Sequence, residues 1–370
     1  MRILIACQYF TPEITAGAMR LHAFAEGLSE RGHEVEVISE VPSHPAGVVA
    51  EGYGGRLVDR RRMDGFEISY VWVRATPSKR ARARLINYAS YAASAATAGL
   101  FRRRADVILA SSPPLSVGSV GSILARRHRA PWVLDIRDLW PDAAVALGEV
   151  SEGRLFRMSQ RLERRLYGRA SAITTTTEPF RRAIEDRRGA GKVTVIPNGT
   201  TAEFLAIGEE DPDRGPLGGD GAFTWIHAGN IGLFHGLETA VAAAGELGEG
   251  FRLVLLGQGS KRAEMERLAG ELPAGSVTFM DPVPPDRAAR LMRASDALLV
   301  SLGQFPGLEG MVMSKLYDSC AVGRPVVVAA PGETARVAEE AGAALCVPPG
   351  DPAALAAAVR RLRDHPSLRD

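Results

Sequence analysis

No apolar run in this 370-residue chain reaches the ~20 residues that span a bilayer. The nearest approach, from Leu85 to Phe101, is Ala-rich and broken by Asn87 and by serines, so no membrane crossing is expected. Cysteine is scarce. Cys7, Cys320 and Cys346 are an odd number without CxxC or Cys/His ligand spacing, which speaks against a disulfide framework and against a zinc site. The first residues, MRILIACQYF, read directly as a strand and lack the basic-then-apolar pattern and small-residue cleavage site of a secretory leader, so a cytoplasmic location is expected. No internal repeat of 20 to 50 residues is visible either.

What is there is an ordinary globular composition, 46% hydrophobic and 24% charged, in a chain long enough for two domains with a core each. The net charge of +2 conceals an asymmetry. Residues 1–200 hold 30 Lys and Arg against 20 Asp and Glu, whereas residues 201–370 hold 15 against 23. A basic half can face nucleic acid or an acidic lipid surface, or can simply be a solvated Arg-rich exterior. No nucleic-acid signature accompanies it, and no nucleic-acid partner is expected.

Short runs of Val, Ile and Leu alternate with amphipathic stretches, the pattern of parallel strands covered by helices on both faces. One series comprises RILIACQYF, EVEVIS, DVILASS, WVLDI and SAITTT, with a helix from Ala18 to Arg31 after the first strand. A second restarts at FTWIHAG and continues through FRLVLLGQG, SVTFM, ALLVSL, PVVVAA and AALCVP. Between them Pro, Gly and acidic residues replace periodicity, so residues 1–200 and 222–370 are expected as two doubly wound domains, with 201–221 as linker. Ligand loops in such sheets lie at the carboxyl ends of the strands, in a crevice the two domains would share.

Several of those loops carry chemistry. The first, QYFTPEITAGAMR, feeds a helix, so Gly17 can approach an anionic group at the helix start, with Arg20 on the first turn; a simple turn would use the same glycine. The turn LLGQGSKR contains Gly257 but lacks the third glycine and the ribose-reading acid of a dinucleotide fold, which disfavours hydride transfer. More specific is GLEGMVMSKLYDSCAVGRPVVVAA, a glycine-bearing loop entering a helix near Ser314. Lys315 and Asp318 fall on one face of that helix close to its start. There a lysine suits a diphosphate and a carboxylate suits a ribose diol, although a plain surface ion pair has the same spacing.

Taken in order, YFTPEITAGAMR, LSERGHEVEVIS, DVILASSPPL, WVLDIRDLWPD, VTVIPNGT, HAGNIGLFHGLE, LVLLGQGSKRAEME, MSKLYDSCAVGRPVVV and GDPAALAAAV resemble bacterial glycosyltransferases of family 4 over nearly the whole chain. The branch most resembled is that of the N-acetyl-L-fucosamine transferases of polysaccharide assembly. The resemblance implies an α/β GT-B fold of two facing Rossmann-like domains. It implies a retaining, metal-independent hexosyl- or N-acetylhexosaminyl-transferase that needs no cofactor, since the nucleotide-sugar is a substrate. Its donor side would comprise Lys315 at the diphosphate, Asp318 at the ribose, Gly229 and Asn230 near the phosphates, and the Val283 backbone at the base. Gly17 would meet donor phosphate from the first loop, and Gly257 and Ser314 complete the set.

The chain departs from the family pattern in four places. Asn230 and His235 stand where many members carry an Arg and a Lys that neutralise the leaving diphosphate, so that charge would fall to Lys315, with Arg20 or Arg137. Glu309 and Asp318 have eight residues between them instead of seven, which leaves Glu309 within reach of the donor sugar only if its loop bulges. DIRDLWPD places Arg137 where the broader family often has a histidine, with Asp138 next; the pair would bind acceptor or organise the leaving group, or simply pin the strand end. The chain ends at HPSLRD, where relatives usually continue into helices that cross back to the first domain.

The expected donor is a UDP-sugar and the expected acceptor a lipid-linked saccharide, with Arg20, Arg137 and Asp138 on the acceptor side. Lys79, Arg80, Arg82 and Arg84 before the Leu85 to Phe101 stretch, and Arg102, Arg103 and Arg104 after it, would let that helix touch an anionic leaflet, unless it is an Ala-rich core helix with solvated ends. Three alternatives stay open: a soluble natural-product scaffold as acceptor, a nucleotide-sugar 2-epimerase, and a non-catalytic partner subunit of the same fold.

Overall fold

The structure is a computed structural model that describes residues 1–368 apart from 45, 79, 143–144, 146–152, 212, 214–216 and 218–220. Lys79 therefore lies outside the described residues. The chain divides into two compact units, Met1–Pro197 and Asn198–Asp370.

The first unit is an eight-stranded sheet in the order β3-β4-β2-β1-β5-β6-β7-β8. Its strands are β1 Arg2–Cys7, β2 Glu34–Glu40, β3 Val58–Met63, β4 Phe66–Val71, β5 Val107–Ser112, β6 Trp132–Ile136, β7 Ala172–Thr175 and β8 Val193–Val195. All pair in parallel except β3 with β4. Helices α1 Ala16–Glu30, α2 Ala81–Leu100, α3 Leu115–His128, α4 Arg154–Arg169 and α5 Glu178–Ile184 accompany the sheet. Isoleucine, leucine and valine side chains of the central strands are buried to near zero exposure, as both faces of a parallel sheet require.

The second unit has six parallel strands in the order β11-β10-β9-β12-β13-β14. They are β9 Phe223–Ala228, β10 Phe251–Leu256, β11 Val277–Met280, β12 Ala297–Ser301, β13 Val326–Ala329 and β14 Ala344–Val347. Its helices are α6 Ala202–Gly208, α7 Leu237–Leu247, α8 Arg262–Ala269, α9 Pro285–Ala294, α10 Ser314–Ala321, α11 Gly332–Glu340 and α12 Pro352–Asp364. In each sheet the winding reverses next to the first strand, between β1 and β5 and between β9 and β12. Those reversal points open the crevices in which doubly wound sheets hold ligands.

Beyond the five strands read in the first unit, the structure adds β3, β4 and β8, and two segments depart most from the reading. The stretch read as linker from 201 carries helix α6, whose N-cap Thr201 accepts the Phe204 amide. Its last residue packs so closely on α10 that a Cβ on Gly208 would overlap the Ala321 carbonyl. The Arg-rich segment VDRRRM is the edge strand β3, joined to β4 through Asp64 and Gly65, both at positive φ. That two-residue Asp-Gly turn matches strand twist, and its arginines suit an unpaired edge.

Helix α2 proves to be core-packed along one face. Tyr91 is fully buried and donates to the carbonyl oxygens of Cys7 at 2.6 Å and Ile38 at 3.2 Å. Of the basic residues after it, Arg102 is folded against the Glu36 carboxylate at 2.6 Å and so is not offered to a membrane, whereas Arg103 and Arg104 stay exposed, Arg104 while donating to the His128 carbonyl at 2.8 Å. Among the described residues no helix is long and apolar enough to cross one.

Candidate donor and acceptor sites

At the reversal point of the second sheet, the loops after β9, β10 and β12 converge on Lys315. Gly229 leaves β9 at φ 123, and Gly257 leaves β10 at φ 143. A Cβ on Gly229 would lie 2.8 Å from Lys315 Nζ, while one on Gly257 would overlap the Gly229 carbonyl. Only glycine permits both the backbone angle and the approach. Helix α10 then starts at Ser314 behind Met313, a cap position from which no side chain accepts a first-turn amide. Such amide ends attract anions.

The half-buried Lys315 is held from below by the strand. Its Nζ lies 2.8 Å from His227 Nε2, and His227 Nδ1 lies 3.2 Å from the Leu299 carbonyl oxygen. A carbonyl only accepts, so the Nδ1–H tautomer, with Nε2 accepting from the ammonium, is the one that satisfies both contacts. Burial first, then repulsion from the Lys315 charge, hold His227 well below the usual imidazole range, so it stays neutral. Burial likewise lowers Lys315 to about 7, with Asp318 pulling the other way. Asp318 accepts from Thr200 Oγ1 at 2.8 Å, and burial raises its carboxyl.

The remaining predicted donor residues fall around this centre with unequal roles. Asn230 follows Gly229, and a Cβ on Gly232 would lie 2.6 Å from Asn230 Nδ2, so the loop folds back tightly. His235 is buried in the short turn before α7; Ser301 Oγ donates to its carbonyl at 2.5 Å, and burial and Lys315 lower its imidazole to about 3. It cannot supply the positive charge of a leaving-group arginine or lysine. Glu309 is exposed, and its Oε2 accepts the Gly307 amide at 2.7 Å while its carbonyl accepts the Glu333 amide at 2.7 Å. Its carboxylate is thus engaged with its own loop. Val283 sits half-buried between β11 and α9, beyond the ends of β10 and β11, which Arg262 ties together through the Gly257 carbonyl at 2.7 Å and that of Met280 at 3.3 Å.

In the first unit the structure brings Gly17, Arg137 and Asp138 together but sets Arg20 apart. The Arg137 guanidinium covers Gly17, where a Cβ would overlap it, and donates to Ser111 Oγ at 3.1 Å and the Pro113 carbonyl at 3.2 Å. Burial raises the neighbouring Asp138 carboxyl, and Arg137 offsets part of that. Arg20 instead reaches inward, to Asp135 Oδ1 at 3.3 Å and the Pro197 carbonyl at 3.0 Å, with 4% of its side chain exposed and none of Asp135's. Arg20 is thereby a structural ion partner of β6 instead of a group facing an acceptor.

Sequence reasoning missed a polar cluster at the carboxyl ends of β1 and β2. Buried Glu40 accepts from Gln8 Nε2 at 2.8 Å and Ser43 Oγ at 3.0 Å, and Gln8 Nε2 also reaches Asn87 Oδ1 at 2.7 Å. Glu13 Oε1 accepts the Ser43 and His44 amides at 2.7 Å each. Burial, with Glu13 nearby, pushes Glu40 up to about 8. A carboxyl raised on folding binds a proton in the native state that the unfolded chain has released, so it costs stability as pH rises from the unfolded value through about 8. Glu40→Gln removes that cost, and its thermal midpoint should lie close to that of wild type near pH 5 and clearly above it near pH 9. Equal midpoints at both would show that Glu40 ionises freely. Among the described residues no cluster of three His, Cys, Asp or Glu side chains could hold a metal ion.

Two doubly wound sheets, each with its loops gathered at a reversal point, match the GT-B fold of glycosyltransferases. A glycosyl transferase 4-like domain matches residues 15–199 and a glycosyl transferases group 1 domain matches residues 222–365, so the chain belongs to the GT-B glycosyltransferases of that family. It is 29% identical to the putative colanic acid biosynthesis glycosyl transferase WcaI of Escherichia coli, over 98% of this chain and 92% of that one. It is 31% identical to the D-inositol 3-phosphate glycosyltransferase of Acidothermus cellulolyticus over 68% of this chain and 58% of the relative. Among solved structures it resembles Anabaena HepE, crystallised with UDP and glucose, at a TM-score of 0.73 and 17% identity over 100% of this chain and 91% of that one.

Proposed function

We propose that this glycosyltransferase moves a sugar from UDP to a hydroxyl of a lipid-linked saccharide, with retention at the anomeric carbon and without a metal cofactor. The observation that carries the reading is the Lys315 ammonium poised over Gly229 at the head of α10, with Asp318 one turn further on. Lysine and helix amides stabilise the departing diphosphate charge, and Asp318 receives the ribose hydroxyls. That HepE was crystallised with UDP and WcaI is named for colanic acid biosynthesis supports the donor and a polysaccharide product. The fucosamine-type branch belongs to the same proposal.

No nucleophile from the protein is required when a bound acceptor hydroxyl attacks from the face that the phosphate leaves, because the leaving group itself can take the proton. On the acceptor side, Arg137 and Asp138 are the groups offered to a polyhydroxylated ligand, and the buried Gln8, Glu13, Glu40 and Asn87 cluster holds the carboxyl ends of β1 and β2 behind them. Incubating the protein with a UDP-sugar, a saccharide acceptor and a chelator, then reading the anomeric coupling of the product by NMR, tests both fine points. Retained configuration with undiminished rate is expected; an inverted product, or activity restored only by divalent metal, would refute them.

Peripheral contact with an anionic membrane is part of the proposal, narrowed to the start of α2. There Arg80 and Arg82 are exposed next to Leu85 and Ile86, each 41% exposed. Sedimentation with phosphatidylglycerol vesicles at low salt should capture the protein, and the Arg80→Glu, Arg82→Glu double variant should bind at least tenfold more weakly, at about 1 kcal/mol per basic residue near the surface. A wild-type chain that stays in the supernatant would move the acceptor to a soluble scaffold.

A further inference from the structure

The side chain beneath the lysine is a histidine that no motif reading singled out. His227 lies on the central strand β9, fully buried, and points toward α10. Its ring meets the Leu299 carbonyl at Nδ1 and Lys315 at Nε2, with the Asn230 backbone also within hydrogen-bond reach of the ring. The His235 ring packs against it at 5.5 Å between centroids and 70° between planes. Lysine stems are flexible, with four rotatable carbons and three donors, so an ammonium needs an acceptor to choose one position. A carboxylate in that role would compete with an incoming phosphate for the positive charge, whereas a neutral imidazole fixes the nitrogen and leaves the charge and two N–H bonds available.

We propose that His227 is the positioning residue of the donor site, a neutral imidazole acceptor that aims the Lys315 ammonium over Gly229 at the nucleotide diphosphate. The inference rests on the donor-site reading above. His235 contributes by packing and by its own neutrality: a second cation there would repel the ammonium and favour its deprotonation. The groups that face Lys315 are then His227 from β9, His235 from the turn before α7 and Asp318 from its own helix.

The test is a double-mutant cycle on UDP affinity, measured by calorimetry on the full chain. His227→Phe keeps the ring volume and removes the acceptor, and should weaken UDP about tenfold; His227→Gln, which can accept again, should recover most of the loss. In a Lys315→Ala background the same His227→Phe change should alter affinity less than about twofold, since a residue acting only through the lysine has nothing left to position. An equal loss in both backgrounds would make His227 a packing residue and overturn the inference while leaving the donor site intact. Absence of UDP binding by the wild type would overturn the donor-site reading and this inference with it. Nitrogen-15 NMR of the histidines gives a check that does not depend on how the Phe variant folds. The wild type should show His227 as the Nδ1–H tautomer, with its Nε2 resonance moving on Lys315→Ala; an Nε2–H tautomer would contradict the proposal.

Discussion

Lys315→Ala is expected to weaken UDP binding by about 1 to 3 kcal/mol, the loss of a charge-assisted hydrogen bond to a phosphate. The loops after β9 and β12, residues 229–236 and 302–313, contain no lysine or arginine, so the Lys315 ammonium carries the charge at the head of α10, and neither Asn230 nor the neutral His235 can replace it. The same residue sets a pH dependence. Burial lowers its amine to about 7 in the free protein, and a bound diphosphate favours the ammonium, so binding takes up a proton above that pH. Affinity should therefore fall as pH rises from about 7 to about 9, and calorimetry in buffers of different ionisation enthalpy should read proton uptake approaching one per nucleotide. A flat profile in the wild type, or a Lys315→Ala variant that binds UDP normally, would remove the lysine from the site.

The largest stability effect is expected in the other unit. Asp135 on β6 has no exposed side-chain surface and accepts from Ser111 Oγ at 2.7 Å, Thr174 Oγ1 at 2.8 Å and Arg20. Asp135→Ala removes the carboxylate that balances the buried Arg20 charge and accepts from two hydroxyls, which should destabilise the first unit by about 3 to 5 kcal/mol. Urea unfolding followed by a probe in residues 1–197 would measure it. Replacing both Arg20 and Asp135 by apolar residues should recover much of the loss, because the cost lies in a buried charge left without its counter-charge and not in the missing pair. If the single variant is as stable as wild type, Arg20 is free to turn outward and its assignment to the acceptor side returns.

Much of this architecture was legible because parallel strands buried on both faces must be apolar runs, and every strand of the second unit announced itself that way. The same rule hid β3. An edge strand has one side without a partner, and VDRRRM carries arginine there, so hydrophobicity gave no signal; the Asp64-Gly65 turn was the cue. Helix α6 was obscured by the Pro, Gly and acid content of the residues that follow it. In the site, Lys315, Asp318 and the glycines could be read from spacing along one helix and one loop. His227 and the partnership of Arg20 with Asp135 could not, since each depends on which strand lies beside which, and a sequence does not print strand order. Arg102 shows the converse: a basic residue that looks solvated in sequence is folded onto Glu36.

The most direct measurement is a calorimetric titration of UDP, GDP, ADP and dTDP into the purified chain and into its Asp318→Ala variant. UDP should bind one site per chain in preference to the others, with affinity reduced at least tenfold, about 1.4 kcal/mol, in the variant. Failure of every nucleoside diphosphate to bind, or binding that Asp318→Ala leaves unchanged, would contradict the assignment of the α10 cradle as the donor site.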